Sequence, residues 1–271
     1  MCTVYSCDPD FGAFKDEQMA NTSWMRSFTQ RWGKYVIVPL VIAMLTGCEG
    51  KGDSSRRAFV EYLNTQIITS PVVGVCELTP AQRQAFGHYA DDYDVLLTAY
   101  GQIFAVVYET GQEDKITGVI QSERDNLVFL NELRVARDVN NRFILRLKNV
   151  SSENRKKYSA LKLPADVKPV FDAAWNKTVT PLDETMTRYY FLRGKRLDQL
   201  VAMGEFLQKQ GNKVRFETNG KAVFADLAAK EHFQDQQFNF FITQNDINHL
   251  TQQMVEFINS QQDAADAGGV N

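Results

Sequence analysis

Apolar positions recur at helical spacing along most of this chain. The clearest stripe follows Thr79, where Thr79, Pro80 and Gln82 form a capping sequence with proline at the first helical position. Its apolar members are Phe86, Tyr89, Tyr93, Leu96, Tyr100, Phe104 and Val107. Each lies three or four residues after the last, so the stripe predicts one continuous helix of about seven turns. Its rings could line a ligand groove, but a core seam is the favoured interpretation.

Helical patterns also occur before and after this stripe. Phe59, Leu63 and Ile67 share one face, and a less regular helical stretch runs from about 116 to 147, followed by a polar connection at 148–159. Another helix is predicted from Pro164 and Asp166. A capping pattern at Thr180 and Pro181 then predicts the start of a fresh helix that continues to Gly211.

The periodicity changes after Gly211. Val214–Phe216 and Ala222–Phe224 flank Asn219 and Gly220, a pair suited to the positive φ angles of a tight turn, so a β-hairpin is predicted. The last helix is predicted from near Asp226. Its seam repeats every seven residues, as in a coiled coil, at Phe233, Phe240, Ile247 and Met254, with Leu250 and Phe257 between them. The predicted fold class is all-α: an elongated bundle of about five to six helices with one small β-hairpin.

The N-terminal part has a different pattern. Residues 35–45 are all apolar and follow Arg26, Arg31 and Lys34. A spanning helix needs about 20 apolar residues, so this run is too short to cross a membrane and instead resembles the core of a secretory signal. The charged residues before it complete the pattern of a signal peptide.

The boundary after this run resembles a bacterial lipobox. It reads Leu45, Thr46, Gly47 and Cys48, where small residues fit a peptidase groove and the Cys48 thiolate is the nucleophile that accepts the lipid. Cleavage is expected between Gly47 and Cys48. The alternative is a buried N-terminal helix with an incidental cysteine.

These features predict how the chain is divided. Residues 1–24 contain four acidic side chains that do not suit a signal peptide, so they are interpreted as a doubtful leader, with the true start at Met25. Residues 25–47 are the predicted signal peptide, 48–55 a lipidated flexible tether, 56–262 the helical domain and 263–271 a disordered tail. Counting 48 through 271, the processed chain would contain 224 residues.

Composition and charge narrow the function classes. The chain is 44% apolar and 23% charged, which is typical of a folded protein, and its net charge of −3 gives no reason to expect a nucleic-acid partner. After cleavage, Cys76 would be the one cysteine besides Cys48, so an internal disulfide is not expected in the processed chain.

The search for chemistry gives few candidates. His88, His232 and His249 lack neighbouring ligands at metal-binding spacing, so neither a metal nor a cofactor is expected. Asp91, Asp92 and Asp94 form a small acidic cluster that is interpreted as solvated. The segment 187–196, TRYYFLRGKR, could bind phosphate or anionic lipid. The favoured interpretation is a helix whose aromatic rings face the core and whose arginines face solvent.

Several short segments resemble the YiaF-like enterobacterial lipoproteins, a family known only as a domain of unknown function. They are the residues 56–59, Leu78 with Thr79, Phe86 with Gly87, Asp92 with Tyr93, the segment 166–174, Met203 with Gly204, Gln210 with Gly211, and Asn219 with Gly220. The resemblance is weak from about 110 to 160, and the acidic leader and Cys76 depart from it. It implies a lipoprotein signal and adds no mechanism.

The sequence therefore predicts where the protein is located and a general role, but no specific activity. We expect a lipid-anchored envelope protein without enzymatic activity that binds another envelope protein or supports envelope maintenance. Glu49 rather than aspartate follows Cys48, which by resemblance to enterobacterial sorting signals implies the outer membrane, facing the periplasm. The alternative is a periplasmic carrier of an apolar or lipid ligand. An enzyme ranks third, and would need a cleft with two titratable groups of perturbed pKa.

Overall fold

The computed structural model describes residues 51–113 and 119–268. Within them the chain forms seven α-helices: α1 (Lys51–Tyr62), α2 (Pro80–Phe86), α3 (Tyr89–Glu113), α4 (Glu123–Val128), α5 (Leu130–Ala160), α6 (Lys168–Gln210) and α7 (Leu227–Gly268). A π-helical segment, Leu63–Ile68, follows α1, and a 3-10 turn, Gly211–Lys213, follows α6. The predicted helical bundle with one small hairpin is confirmed, with seven helices where five to six were predicted.

The helix start at Thr79 is confirmed, but the single long helix is not. The Thr79 hydroxyl accepts a hydrogen bond from the Gln82 amide at 3.2 Å, and the Gln82 side chain accepts one from the Thr79 amide at 2.8 Å. This capping box starts α2. Gly87 then adopts φ +56°, which a continuing right-handed helix does not allow, and α3 starts two residues later. The apolar stripe is therefore shared by two helices.

Two predicted breaks are absent. Helix α5 continues through the predicted connection at 148–159 to Ala160, and α6 passes through Pro181 without ending. The physical reason is burial on both sides of each position. Leu147 and Asn154 are buried in α5, and Val179 and Met186 are buried in α6. Packing of these side chains outweighs the local preference of polar residues and proline for a helix end.

The hairpin forms where the sequence predicts it. Strand β1 (Val214–Phe216) pairs antiparallel with β2 (Ala222–Phe224), with Arg215 opposite Val223. Gly220 has φ +79°, and its amide donates to the Glu217 carbonyl at 2.9 Å. The Asn219-Gly220 signal therefore identified the turn correctly.

A short helix holds this hairpin in place. The Gly220 carbonyl accepts from the Arg124 amide at 3.0 Å, at the start of α4. The Glu123 carboxylate accepts from the Ala222 amide at 2.5 Å and from the Gln237 side chain of α7 at 2.7 Å. One carboxylate thus joins the hairpin, α4 and α7. These contacts stabilise the hairpin, since two strands alone are only marginally stable.

The chain divides into two compact units. Of the described residues, the first unit contains 51–101, 154–182 and 255–268, and the second contains the rest. The first unit has a core rich in aromatic rings, including Phe59, Tyr93 and Phe171. The second has an aliphatic core that includes Leu133, Leu197 and Leu207, with Phe233 packed among them.

The described ends differ from the predicted ones. Residues 51–55 were assigned to a flexible tether but belong to α1, and residues 263–268 were assigned to a disordered tail but belong to α7. The predicted leader (1–24), the signal peptide (25–47), residues 48–50 and residues 269–271 lie outside the described residues. Across the described ranges, none of the helices is long and apolar enough to cross a membrane.

Candidate functional site

The predicted lipidation site is not among the described residues. Leu45, Thr46, Gly47 and Cys48 all precede Lys51, the first residue of α1. Lipidation of Cys48 and cleavage after Gly47 therefore stay predictions. The described residues nearest to them in sequence are the first turns of α1.

The three histidines lie in separate surroundings. The His88 ring is 4.0 Å from that of Tyr89, the His232 ring is 4.8 Å from that of Phe206, and His249 lies 3.2 Å from the Gln253 amide nitrogen. Within residues 51–113 and 119–268, no group of three or more histidine, cysteine, aspartate or glutamate side chains could hold a metal ion.

The acidic residues 91, 92 and 94 do not form one site. Asp94 accepts two hydrogen bonds from the Arg83 guanidinium, at 2.7 and 2.9 Å, which joins α3 to α2. Partial burial raises the pKa of Asp92, and nearby His88 opposes that rise. Asp91 is exposed. The cluster therefore contributes an ion pair between helices and no shared catalytic geometry.

The aromatic stripe forms a core seam, as favoured from the sequence. The Phe59 ring lies 5.5 Å from Phe86 and 5.3 Å from Tyr89, and Tyr62 lies 5.7 Å from Tyr93. The Tyr93 hydroxyl donates to the Cys76 carbonyl at 2.7 Å, and burial raises the pKa of Tyr93. These rings contact one another, which is the arrangement of a packed interior.

The side-chain orientations in the basic and aromatic segment 187–196 were only partly predicted. Tyr190 is buried as expected, but Phe191 is 65% exposed and Arg193 is 3% exposed. The interpretation of rings inward and arginines outward is therefore wrong at Phe191 and Arg193. Half-buried Arg196 donates to the Gln244 side chain of α7 at 3.0 Å. Helical phase decides these orientations, because Phe191 falls on the face of α6 opposite its apolar stripe.

A buried asparagine next to this segment was missed. The Asn140 side chain of α5 donates to the Tyr190 carbonyl of α6 at 3.2 Å. A Cβ atom at Gly194 would lie 3.0 Å from the Asn140 amide nitrogen. Gly194 therefore lets α6 approach α5 closely enough for this bond. The apolar residues on both sides of Asn140 at helical spacing were the available signal.

The seven-residue seam of α7 faces the interior. Phe233, Ile247 and Leu250 are buried, and Phe240 and Met254 pack against the same clusters. Phe257, also predicted in the seam, is half exposed. These side chains stabilise the fold and leave little of the seam for a partner.

A different face of α7 is exposed and apolar. Phe238, Phe241 and Ile242 are 65%, 61% and 42% exposed, and their spacing of three and four places them on one side of the helix. We call these three residues the α7 patch. The α7 patch is not apparent from the sequence because the stronger seven-residue repeat dominates the same segment. Contiguous exposed apolar side chains are typical of surfaces that bind other molecules.

Cys76 takes part in a disulfide in the full chain. The other cysteines of the sequence are Cys2, Cys7 and Cys48, all of which precede the described residues. An internal disulfide was not expected from the sequence for a chain that starts at Cys48.

Comparison with known families decides the classification. The family model described as "Protein of unknown function (DUF3053)" matches residues 36–265. The chain belongs to the DUF3053 family. The match to DUF3053 includes the predicted lipobox and all the described elements up to the last turn of α7.

The similar curated proteins are named only as uncharacterized. The chain is 28% identical to "Uncharacterized protein YiaF" of Escherichia coli strain K12 over 204 residues, which cover 74% of this chain and 86% of that protein. Proteins of the same name from Escherichia coli O157:H7 and Shigella flexneri match equally. The resemblance to a YiaF-like family is thus confirmed. No solved structure matches this chain.

Proposed function

We propose that this protein is a lipid-anchored bacterial envelope protein without enzymatic activity, which binds another envelope protein or maintains the envelope. The observation that carries the proposal is the order of features before Cys48: positive charges, an apolar run too short to span a membrane, small residues and the cysteine. Glu49 after the cysteine supports retention in the outer membrane, facing the periplasm.

The lipid would be sufficient to hold the protein at a membrane. Each buried methylene group of an acyl chain contributes about 0.8 kcal/mol, so two or more chains on Cys48 give durable attachment without a spanning helix. The first described helix starts at Lys51. An anchored and folded body is therefore compatible with the short separation between Cys48 and α1.

The anchor is tested by intact mass of protein extracted from membranes. We expect a species that starts at Cys48 and carries added acyl mass. A Cys48→Ser variant should lose the acyl mass and the cleavage, because serine lacks the nucleophilic thiolate. An extracted protein with its N-terminal residues still present and no acyl mass would contradict the proposal.

The interaction role is supported by the α7 patch. A photoreactive amino acid at position 241 should give a discrete crosslinked product in intact cells. The control is the same label at Asn248, an exposed polar position on the same helix. Replacing Phe238 and Ile242 with glutamine should abolish the product from position 241. Equal crosslinking from positions 241 and 248 would contradict an interaction through the patch.

The carrier of an apolar or lipid ligand is the weaker proposal. The rings around Phe59 and Tyr93 that would line its cleft contact one another instead. Organic extraction of the purified protein followed by mass spectrometry tests it. A stoichiometric lipid, separate from the acyl groups on Cys48, would favour the carrier, and its repeated absence would exclude that role for the extracted form.

A further inference from the structure

We propose that three lysines at and just after the end of α5 bind anionic phospholipid headgroups. The headgroups belong to the membrane in which the lipid anchor is inserted. The residues are Lys156, Lys157 and Lys162, which we call the basic end. The inference rests on the proposed lipidation of Cys48. It adds a second contact with the membrane, made by side chains of the folded part.

Chain length brings α1 close to the membrane. Three residue steps separate Cys48 from Lys51, where α1 begins, and an extended chain covers at most about 3.6 Å per step. The start of α1 therefore lies within about 11 Å of an acylated Cys48. Side chains that neighbour the first turns of α1 belong to the part of the fold nearest the proposed anchor.

An ion pair places the connection between α5 and α6 beside these first turns. The Arg56 guanidinium lies 3.4 Å from the Asp166 carboxylate. Arg56 is in the second turn of α1, and Asp166 is in the connection that follows α5. The C-terminal end of α5 and the connection after it therefore lie on the same side of the first unit as the anchored end.

This region carries an excess of positive charge. Arg155, Lys156 and Lys157 are exposed in the last two turns of α5, and Lys162 is exposed two residues after its end. Exposed Glu153, one turn before Lys157, offsets one of these charges, and two other carboxylates nearby contact cations. Asp166 pairs with Arg56, and Asp172 accepts two hydrogen bonds from Lys168 at 2.9 Å. The exposed lysines thus face solvent with a net positive charge.

Anionic phospholipid is the ligand that this arrangement fits. A basic residue near an anionic membrane surface strengthens association about fivefold, and the effect decays within about 10 Å at ordinary ionic strength. The contact matters only where the side chains are kept near the surface, and the proposed anchor together with the Arg56–Asp166 pair favours that position for the basic end. Lysines at a helix end also stabilise the helix dipole, so the test must separate membrane contact from helix stability.

A natural fluorescent probe lies next to the basic end. The sequence contains Trp24, Trp32 and Trp175, so a chain that starts at Cys48 retains Trp175 as its one tryptophan. Trp175 is buried, and its ring lies 4.7 Å from that of Tyr158, which directly follows Lys157. Energy transfer from Trp175 to dansyl-labelled phosphatidylethanolamine therefore reports the distance between the basic end and the bilayer.

The experiment uses the acylated protein in vesicles of phosphatidylcholine with or without phosphatidylglycerol. We expect more energy transfer when phosphatidylglycerol is present, and loss of that increase at high salt. The triple variant Lys156→Gln, Lys157→Gln, Lys162→Gln should give the same transfer in both vesicles. The matched control, Lys209→Gln, Lys213→Gln, Lys230→Gln, removes three exposed lysines of the second unit and should keep the increase.

The possible failures can be told apart. Intact mass first verifies the acyl groups, and circular dichroism verifies that each variant is helical. Acylated protein whose transfer does not change with phosphatidylglycerol, or whose increase survives in the first triple variant, overturns the inference and leaves the lipoprotein proposal standing. Protein without acyl mass overturns both.

Discussion

At the scale of single residues, two glycines determine how closely other parts of the chain approach α4. A Cβ atom at Gly204 would lie 2.3 Å from the Asn126 carbonyl, and one at Gly220 would lie 2.4 Å from the Ser122 hydroxyl. Both contacts bring a later part of the chain against the first turn of α4. The close approach, together with a positive φ at Gly220, requires glycine.

Gly204→Ala should destabilise the protein by about 2 kcal/mol, since the added methyl group meets a backbone atom that cannot move without shifting a helix. Chemical denaturation measures the change. The control is Gly74→Ala, where no atom lies within 4 Å of the added carbon, and it should change stability by less than about 0.5 kcal/mol. Equal effects of the two substitutions would show that the α4–α6 approach is looser than described.

Asp125 should make stability depend on acidic pH. Its carboxylate accepts hydrogen bonds from the Gln121 amide at 2.9 Å and the Ser122 amide at 2.7 Å, and these bonds lower the pKa of Asp125. A lowered pKa in the folded state means that the stabilisation is present above about pH 4 and disappears as the pH falls through the folded value.

Asp125→Asn should therefore cost about 0.5 kcal/mol at neutral pH, because the asparagine oxygen can still accept both amide hydrogen bonds but carries no negative charge at the start of the helix. The difference from the natural protein should shrink as the pH falls below about 4. Unfolding curves at several pH values measure it, with Asp198→Asn at an exposed position of α6 as the control. A constant difference across this range would rule out the charged cap.

At the scale of elements, α6 is the most unusual feature. It extends from Lys168 to Gln210 with Pro181 inside it. Proline removes one backbone donor and costs about 3 kcal/mol in a helix interior. The flanking residues pay this cost through burial, since Val179 and Met186 are both in the core.

Pro181→Ala should raise the free energy of unfolding by about 2 kcal/mol, because alanine restores the donor while the unfolded chain gains some freedom. Thermal unfolding measures the gain as a higher Tm. Pro169→Ala is the matched control. Pro169 lies in the first turn of α6, where a backbone N–H has no partner within the helix, so proline costs no hydrogen bond there. A lower Tm for Pro181→Ala would mean that the helix needs the local geometry imposed by proline.

Local signals in the sequence predicted some elements well and others poorly. The Thr79 cap and the Asn219-Gly220 turn depend on a few adjacent residues, and both were correct. Where α3 begins and whether α6 continues depend on Gly87 and on core contacts from distant segments, so pattern alone gave the wrong boundaries. The orientations of Phe191 and Arg193 follow the packing of α6 on its neighbours, which no single helix reveals. The candidate lipidation site was predicted from sequence, and the α7 patch was found only in the structure.

At the scale of the whole molecule, the disulfide of Cys76 and the proposed lipid on Cys48 constrain each other. Processing would remove Cys2 and Cys7, and an acylated Cys48 has its sulfur in a thioether. The disulfide of the full chain and the mature lipoprotein are thus two different covalent states.

If the mature chain starts at an acylated Cys48 as proposed, reducing and non-reducing electrophoresis of the membrane-extracted protein should give the same mobility. Protein with Cys48→Ser is the comparison, because it retains the N-terminal cysteines if cleavage fails. A mature chain that migrates faster without reductant would show an internal disulfide and contradict acylation of Cys48.

The division into two units has a consequence for biogenesis. The first unit combines residues near the beginning of α1 with residues of α7 close to the end of the chain. Contacts within this unit join residues that are far apart in the sequence, and such contacts form slowly during folding. If the chain is exported as proposed, it must stay incompletely folded until almost all of it has crossed the membrane. Its aromatic residues need protection during that interval, so periplasmic chaperones should influence its yield more than its final stability.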